Sequence, residues 1–442
     1  MFRFNAGVLG DKNIFIPYHS LRNIIRVEVY SPTVFLDGVI AVDDIKKSLK
    51  NFFGINSSMI SMLVMVILIG MGEKMAERFL PLYLIALGGS IYAVGFLNAM
   101  DNFLSAIYSF PGGYLAEKLG YKKSLMLFTV IALFGYAIVI LIPRWQAVLV
   151  GCIFFISWTA ISLPAIMSLV SRVMSKDKRT MGVTLHSLVR RIPMALGPII
   201  GGLLIGAFGK VEGIRIAFCL AFVLGLLSLI VQYYFIEDSE EKQEAHLHAR
   251  DIFSSFSPGL RSLLLSDILI RFAEQIPYAF VVLWVVEVNK ISPFHFGILT
   301  TIEMITAVLV YIPVAYLADK YGKKPFVLIT FVFFTLFPLV LYFSHSFAAL
   351  AFAFVIRGLK EFGEPTRKAL IMDLAPEDLK AATFGTYYLI RDVIVSLAAL
   401  SSAWLWHISP GTNFITAFFC GLAGMLIFAL WGKDLKSEIQ QV

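Results

Sequence analysis

The sequence has few charged residues, because aspartate, glutamate, lysine and arginine together make up only 15% of its 442 residues. Cysteine is also scarce: there are three, and all lie inside apolar stretches, so a disulfide framework is not expected. The sequence lacks a glycine-rich nucleotide-binding loop, a nucleophile elbow and histidines or cysteines at zinc-ligand spacing. We therefore predict that the protein is not an enzyme and uses no cofactor and no metal.

Apolar residues are abundant instead: hydrophobic side chains make up 58% of the chain and the mean hydropathy is +0.81. A soluble domain of this length could not bury so much apolar surface, which indicates an all-α polytopic membrane protein. From residue 57 onward we count about twelve apolar spans of roughly 20 residues, the length that a bilayer requires. The net charge of +7 falls largely in short loops between spans, so it reports membrane topology and not nucleic-acid binding.

One stretch between two spans occurs twice. Residues 111–123 read PGGYLAEKLGYKK, and 202 positions later (313 − 111) residues 313–324 read PVAYLADKYGKK. Each copy, which we call a signature loop, places a carboxylate near the end of a span, then a glycine that permits a tight turn, then lysines. Residues inside the spans repeat at the same spacing, since Glu73 and Glu274 are 201 positions apart (274 − 73) and Asp101 and Glu303 are 202 apart (303 − 101). The chain is therefore an internal duplication.

The first copy resembles the signature loop of the major facilitator superfamily, G-x-L-A-D-R-x-G-R-K-x-x-L. Glu117 replaces the consensus Asp and Lys118 the consensus Arg, while the second copy keeps Asp319 but has Ala315 in place of Gly. The positions that match in the first copy are Gly113, Leu115, Ala116, Gly120, Lys122 and Leu125. This resemblance implies twelve transmembrane helices in two pseudo-symmetric six-helix halves that expose a central site to each side of the membrane in turn.

In that family the acid of the signature loop holds the cytoplasmic side closed, so the resemblance implies a gating role for both loops. The alternative is an ordinary turn between two helices with no such role. The gating candidates are Gly113, Glu117, Gly120, Lys122, Asp319, Lys320, Gly322 and Lys324.

Four segments follow from the hydropathy and the repeat. Residues 1–56 are predicted to be a cytoplasmic tail, either with an interfacial helix near residues 44–53 or poorly ordered. Residues 57–236 and 258–442 are the two six-helix halves, joined by a polar linker at 237–257. Basic clusters lie in alternate loops, which places both termini in the cytoplasm of a multi-pass plasma (inner) membrane protein.

Many ionisable residues fall inside the predicted spans, where each costs about 2.5 to 3.5 kcal/mol at mid-bilayer on insertion scales. They must therefore pair, hold water or serve a function. The proton-coupling candidates are the deep acids with a counterpart in the other half: Glu73, Asp101, Glu274 and Glu303. The solute-cavity candidates are Glu77, Arg78, Arg190, Arg271, Arg357, Glu361, Glu364 and Arg391. The alternative for all of them is a set of ion pairs that only fixes helix packing.

The tenth span is the most polar. Arg357, Glu361 and Glu364 form one helical stripe, which cannot face lipid and must line a cavity or a helix contact. Arg357 and Arg391 from one half and Arg190 from the other are predicted to clamp one anionic or zwitterionic solute between the halves.

The fifth and fourth spans bear on the direction of transport and on coupling. Residues 193–202, PMALGPIIGG, resemble the G-x-x-x-G-P-x-x-G-G motif of exporting members, although generic close packing explains the pattern as well. His186 in the same span is either a satisfied interior histidine or a proton carrier. The arginine that is associated with proton coupling in many relatives is missing from the core of the fourth span here, where Ser157, Trp158, Ser162 and Pro164 stand.

These patterns predict a secondary active transporter of a small polar or ionised solute. We expect it to export the solute in exchange for protons, that is, by antiport. Import of an organic ion or metabolite by symport is the alternative, and a non-transporting receptor or scaffold with the same fold is the alternative of another class. The expected partners are the solute, protons and the lipid bilayer, with no nucleic acid. A monomer is expected.

Overall fold

A computed structural model describes residues 57–156, 158–173, 179–237, 253–254, 256–376 and 380–433. The predicted tail at 1–56 lies outside the described residues, and so does most of the predicted linker at 237–257. The roles and boundaries assigned to these two segments stay predictions.

The first half of the described chain is helical throughout. Its helices are α1 Ser57–Glu77, α2 Leu80–Ala86, α3 Ile91–Leu119, α4 Tyr121–Leu141, α5 Trp145–Phe155, α6 Trp158–Val173, α7 Arg179–Phe208 and α8 Lys210–Phe235.

The second half repeats this order. Its helices are α9 Pro258–Tyr278, α10 Val281–Leu283 with a π-helical turn Trp284–Val288, α11 Pro293–Tyr321, α12 Lys324–Tyr342, α13 Phe347–Leu359, α14 Glu364–Leu374, α15 Lys380–Ile408 and α16 Pro410–Trp431. The prediction of an all-α membrane protein is confirmed.

Within the described residues, nine helices are long and apolar enough to cross a membrane, or ten if the bent pair formed by α9 and residues 281–288 counts as one span. Helix α3 and the pair α13–α14 are not among them. Both are rich in polar residues, such as Asn98, Asp101 and Asn102 in α3, which lower their hydropathy. The fold is consistent with twelve spans, but that number stays a prediction.

The packing of the helices repeats between the halves. Helix α1 packs against α7 and α8 as α9 packs against α15 and α16, and α3 packs against α6 as α11 packs against α13. The halves meet through two pairs, α7 with α11 and α3 with α15. In the predicted numbering of twelve spans these four helices are the second, fifth, eighth and eleventh.

The glycine-rich segment of α7 makes the closest of these contacts. A Cβ atom on Gly201 would lie 2.1 Å from the carbonyl oxygen of Met75 in α1. One on Gly202 would lie 2.5 Å from the carbonyl oxygen of Pro293 at the start of α11. Glycine is needed at both positions because the helix backbones touch there. The segment therefore holds α7 against its own half and against the other.

Both signature loops turn at a glycine in the left-handed region, Gly120 at φ 81° and Gly322 at φ 96°, where other residues are strained. The side chain of Lys122 reaches α8 and donates to the carbonyl oxygen of Tyr233 at 2.8 Å. The side chains of Glu117 and Asp319 lie outside the part of the chain that is described, so their gating role stays a prediction.

Candidate functional site

The acid of α11 lies in a buried ion pair. Glu303 and Arg357 are each only 2% exposed, and Arg357 Nε lies 3.3 Å from Glu303 Oε1. The guanidinium also lies over the rings of Phe337 at 5.3 Å and Phe354 at 5.5 Å. This arrangement keeps the arginine out of lipid and neutralises the carboxylate.

A second buried carboxylate, Asp267 in α9, collects donors from two other helices. It pairs with Arg367 of α14, and it accepts a hydrogen bond from the Tyr387 hydroxyl at 3.1 Å. Arg391 Nη1 of α15 lies 3.4 Å away. Asp267 and Arg367 are each only 1% exposed, so the charges depend on one another for solvation.

The remaining acids of this half are also paired. Glu274 binds both Arg271, one turn before it, and Lys360, which lies just beyond α13. Glu364 binds Arg367 at 2.7 Å, and Arg271 lies 3.3 Å from it. We call these ion pairs of α9, α11, α13, α14 and α15 together the second-half network, in which Glu303 and Arg357 form a separate pair.

Among the described residues, the first half carries fewer ion pairs. Lys74 bridges Glu73, at 3.0 Å, and Glu77 on the same helix. Arg78 follows in the break between α1 and α2 and donates to the Tyr278 hydroxyl of the second half at 3.1 Å. One end of α1 is thus tied to α9.

Other polar contacts cross between the halves. Asn98 donates to the carbonyl oxygen of Gln275 at 2.7 Å, and Asn102 donates to the side-chain oxygen of the same glutamine at 3.2 Å. Arg191 pairs with Glu361 at 2.9 Å. A change in the relative position of the halves would have to break these contacts.

Two cavities larger than about 10 Å³ lie beside these charges. The larger, about 190 Å³, is lined only by first-half residues, mainly from α1, α3, α6 and α7. The smaller, about 40 Å³, lies between the halves and is lined by Arg78, Tyr278 and Arg357 among others. Glu77 and Asp101 line both cavities, so they lie where first-half space meets the interface.

Three ionisable side chains that line the larger cavity have no hydrogen-bond or ion-pair partner among the described residues: Asp101, His186 and Arg190. His186 is only 5% exposed, whereas Arg190 is exposed. An unpaired group on a cavity wall must be solvated by water or by a ligand. The larger cavity is therefore the better candidate site.

The structure gathers some predicted site residues and separates others. Glu73, Glu77, Asp101 and Arg190 line the larger cavity, and Arg78 and Arg357 line the smaller one. The predicted clamp of three arginines is not assembled, because Arg391 pairs with Asp267 and Asp392 and lines neither cavity. The other predicted solute-cavity residues are paired in the second-half network or across the halves: Arg271, Glu361 and Glu364.

Sequence reasoning left Asp267 and Arg367 out of the candidate site, although they form the centre of the second-half network. A signal was present, since Asp267 lies four and seven residues before Arg271 and Glu274 on one helical face.

Comparisons with known proteins agree on the family. The model described as "Major Facilitator Superfamily" matches residues 62–286 and, in a second match, 263–441. A relative from Methanocaldococcus jannaschii, described as "Uncharacterized MFS-type transporter MJ1317", is 22% identical over 356 residues, which cover 78% of this chain and 87% of the relative.

Solved structures of transporters share the fold. The nucleoside transporter NupG aligns with a TM-score of 0.72 and 14% identity, over 86% of this chain and 100% of that chain. A POT peptide transporter aligns with a TM-score of 0.66 and 14% identity, over 86% and 96%. A bacterial homologue of the human lysosomal transporter Spinster aligns with a TM-score of 0.64 and 13% identity, over 85% and 94%. At these identities the likeness shows the fold alone.

Proposed function

Since this chain belongs to the Major Facilitator Superfamily of membrane transporters, we propose that it is a secondary active transporter that exchanges protons for a small polar or ionised solute. The solute binds in the larger cavity, and the two halves rearrange to open it to each side of the membrane in turn. The protein works as a monomer in the plasma (inner) membrane, with both termini in the cytoplasm and the signature loops as cytoplasmic gates.

The unpaired carboxylate of Asp101 carries the proposal for proton coupling. Of the four coupling candidates, Glu73, Glu274 and Glu303 each lie beside a cationic partner. Asp101 has none among the described residues, and it lines both the larger cavity and the space between the halves. A carboxylate held by a fixed cation stays ionised, whereas one that faces cavity water can take up and release a proton as its surroundings change.

Competition at Asp101 supports exchange rather than cotransport. A proton and a cationic group of the solute cannot both neutralise the same carboxylate, so binding of one favours release of the other. Loading of the solute on one side and of the proton on the opposite side then gives antiport. Import by symport is the alternative, and the unpaired Arg190 favours it if the solute is a simple anion that enters with a proton.

Reconstituted vesicles test this function. The purified protein is placed in liposomes with a pH-sensitive dye in the lumen, and outward gradients of amino acids, peptides, amines, nucleosides and organic acids are imposed in turn. We expect at least one solute to move protons in the opposite direction. Asp101→Asn should abolish this proton movement and spare solute-for-solute exchange, while Glu212→Gln, on the exposed first turn of α8, serves as the matched control. Solute flux that is insensitive to collapse of the proton gradient would show that the coupling is wrong.

A further inference from the structure

The two halves differ in charge at the place where the larger cavity lies. When the first half is matched to the second at a spacing of 201 positions (274 − 73), several charged residues of the second-half network have uncharged counterparts. Asp267, Arg357, Lys360 and Arg367 correspond to Val66, Ile156, Thr159 and Ile166. All four counterparts line the larger cavity. The cavity therefore occupies the volume that ion pairs fill in the second half.

A cation is missing at one end of this volume. Asp101 is the counterpart of Glu303, and in the second half that acid is neutralised by Arg357. The spacing of 201 puts Ile156 at the arginine position, where it lines the cavity beside Asp101. A spacing of 202 would put Phe155 there instead, which packs against Tyr136. In either register no base occupies the arginine position, and Lys74 and Arg78, which act on Asp101 electrostatically, form no ion pair with it.

An anion is missing at the other end. Arg190 and His186 are the counterparts of Arg391 and Tyr387, each 201 positions later (391 − 190 and 387 − 186). In the second half both of those residues contact the carboxylate of Asp267. The counterpart of that aspartate is Val66, so the buried ring of His186 and the guanidinium of Arg190 have no carboxylate in hydrogen-bond or ion-pair contact, and Glu73 acts on Arg190 only electrostatically.

We propose that the transported solute supplies both missing charges: its cationic group binds Asp101, next to Glu77, and its anionic group binds Arg190 and His186. The solute is then a zwitterion. In the first half its two charges take the places that charged residues of the second-half network occupy in the second half. That this zwitterion is transported rests on the proposed function. That it binds in the larger cavity does not depend on the proposed function.

The second half also indicates how far apart the two charges lie. The cation position corresponds to the head of Arg357 and the anion position to the carboxylate bound by Arg367, ten residues later (367 − 357). Ten residues of continuous helix would place the two arginines about 15 Å apart along the span, and the turn at residues 360–363 between α13 and α14 makes this only the order of magnitude of the spacing. Since their side chains can converge, a solute with charges about 10 to 15 Å apart is expected. An extended peptide of three residues spans about 10 Å at roughly 3.5 Å per residue.

A series of α,ω-amino acids measures this distance directly. The probes are 4-aminobutanoate, 6-aminohexanoate, 8-aminooctanoate and trialanine, with hexylamine and hexanoate as singly charged controls. Binding to the full-length purified protein is measured by calorimetry and by the rise in melting temperature. We expect 8-aminooctanoate and trialanine to bind about 10- to 100-fold more tightly than the short or singly charged probes, the factor expected for one added charge-assisted contact.

Substitutions assign the two ends. Asp101→Asn and Arg190→Gln should each weaken trialanine binding by about 10- to 100-fold. Asp101→Asn should leave the weak binding of hexanoate unchanged. Ile156→Arg supplies the missing cation from the chain, so it should abolish trialanine binding without lowering the melting temperature of the empty protein. Glu212→Gln should leave the dissociation constant unchanged.

Other results would overturn the inference. These are equal affinity for hexylamine and 8-aminooctanoate, unchanged binding in Arg190→Gln, or the absence of binding by every zwitterion in the series. If Ile156→Arg does not fold, Arg190→Gln at an exposed position still decides the matter. Proton-coupled flux of a different solute would then leave the proposed function standing, whereas zwitterion binding without proton movement in vesicles would contradict the coupling alone.

Discussion

Arg367 provides the sharpest test of the second-half network. It is 1% exposed, pairs with Asp267 and donates to Glu364 at 2.7 and 2.8 Å. Truncation to Met keeps most of the side-chain volume but leaves two buried carboxylates short of a cation. Removal of one partner from a buried pair costs about 3 to 5 kcal/mol. Because Arg391 and Tyr387 still contact Asp267, we expect a loss near the lower end, about 3 kcal/mol.

The assay is the unfolding of purified Arg367→Met, Asp267→Asn and the double variant, as a double-mutant cycle. In the double variant no ionised aspartate remains to be neutralised, so we expect it to recover at least about 1 kcal/mol relative to the additive sum. A loss below about 1 kcal/mol in Arg367→Met, together with strict additivity, would mean that water solvates these groups and that the network is not a buried one.

Three further predictions concern other contacts. Arg357→Ala should destabilise the protein by leaving Glu303 buried without a cation, whereas the double variant with Glu303→Gln should recover much of the lost melting temperature. Gly201→Ala should cost about 1 to 3 kcal/mol because its methyl group would overlap the α1 backbone, while Gly206→Ala, whose Cβ would meet nothing within 4 Å, should be neutral in the same thermal assay. Glu117→Ala should lower the transport rate in vesicles but leave the yield of membrane-inserted protein unchanged, and full-rate transport would exclude a gating role for this residue.

The duplication, the helical class and the polar spans were all readable from the sequence, because hydropathy and residue spacing are local properties. The pairing of charges was not readable. The sequence puts Arg357 and Glu361 on one helical stripe, but α13 ends at Leu359 and Glu361 lies in the turn that follows. Arg357 pairs with Glu303 on α11, and Glu361 pairs with Arg191 of the other half. Which acid meets which base depends on the rotation and depth of each helix, and these are set by packing between distant segments.

The lack of a partner for Asp101 could be predicted from the sequence only in part. Its counterpart Glu303 and the absence of an arginine from the core of the fourth span are both visible in the sequence. Only the structure shows that Glu303 pairs with Arg357. This contact shows that Asp101 would need an arginine at the corresponding position of the fourth span to be neutralised in the same way. The unpaired side chains on the cavity wall could therefore be identified only when the two halves were compared residue by residue.

The second-half network also has a consequence for how the chain is made. The pair α13–α14 is not among the helices apolar enough to cross a membrane by themselves, since each charge adds about 2.5 to 3.5 kcal/mol to the cost of insertion. Its arginines find their acids, Asp267 and Glu303, on α9 and α11, which leave the ribosome first. The tenth span is therefore expected to wait at the translocon until these earlier helices are in place. The order of the helices in the chain then determines the order of insertion. Helices α9 and α11, which carry the acids, must be inserted before α13–α14, which carries the arginines.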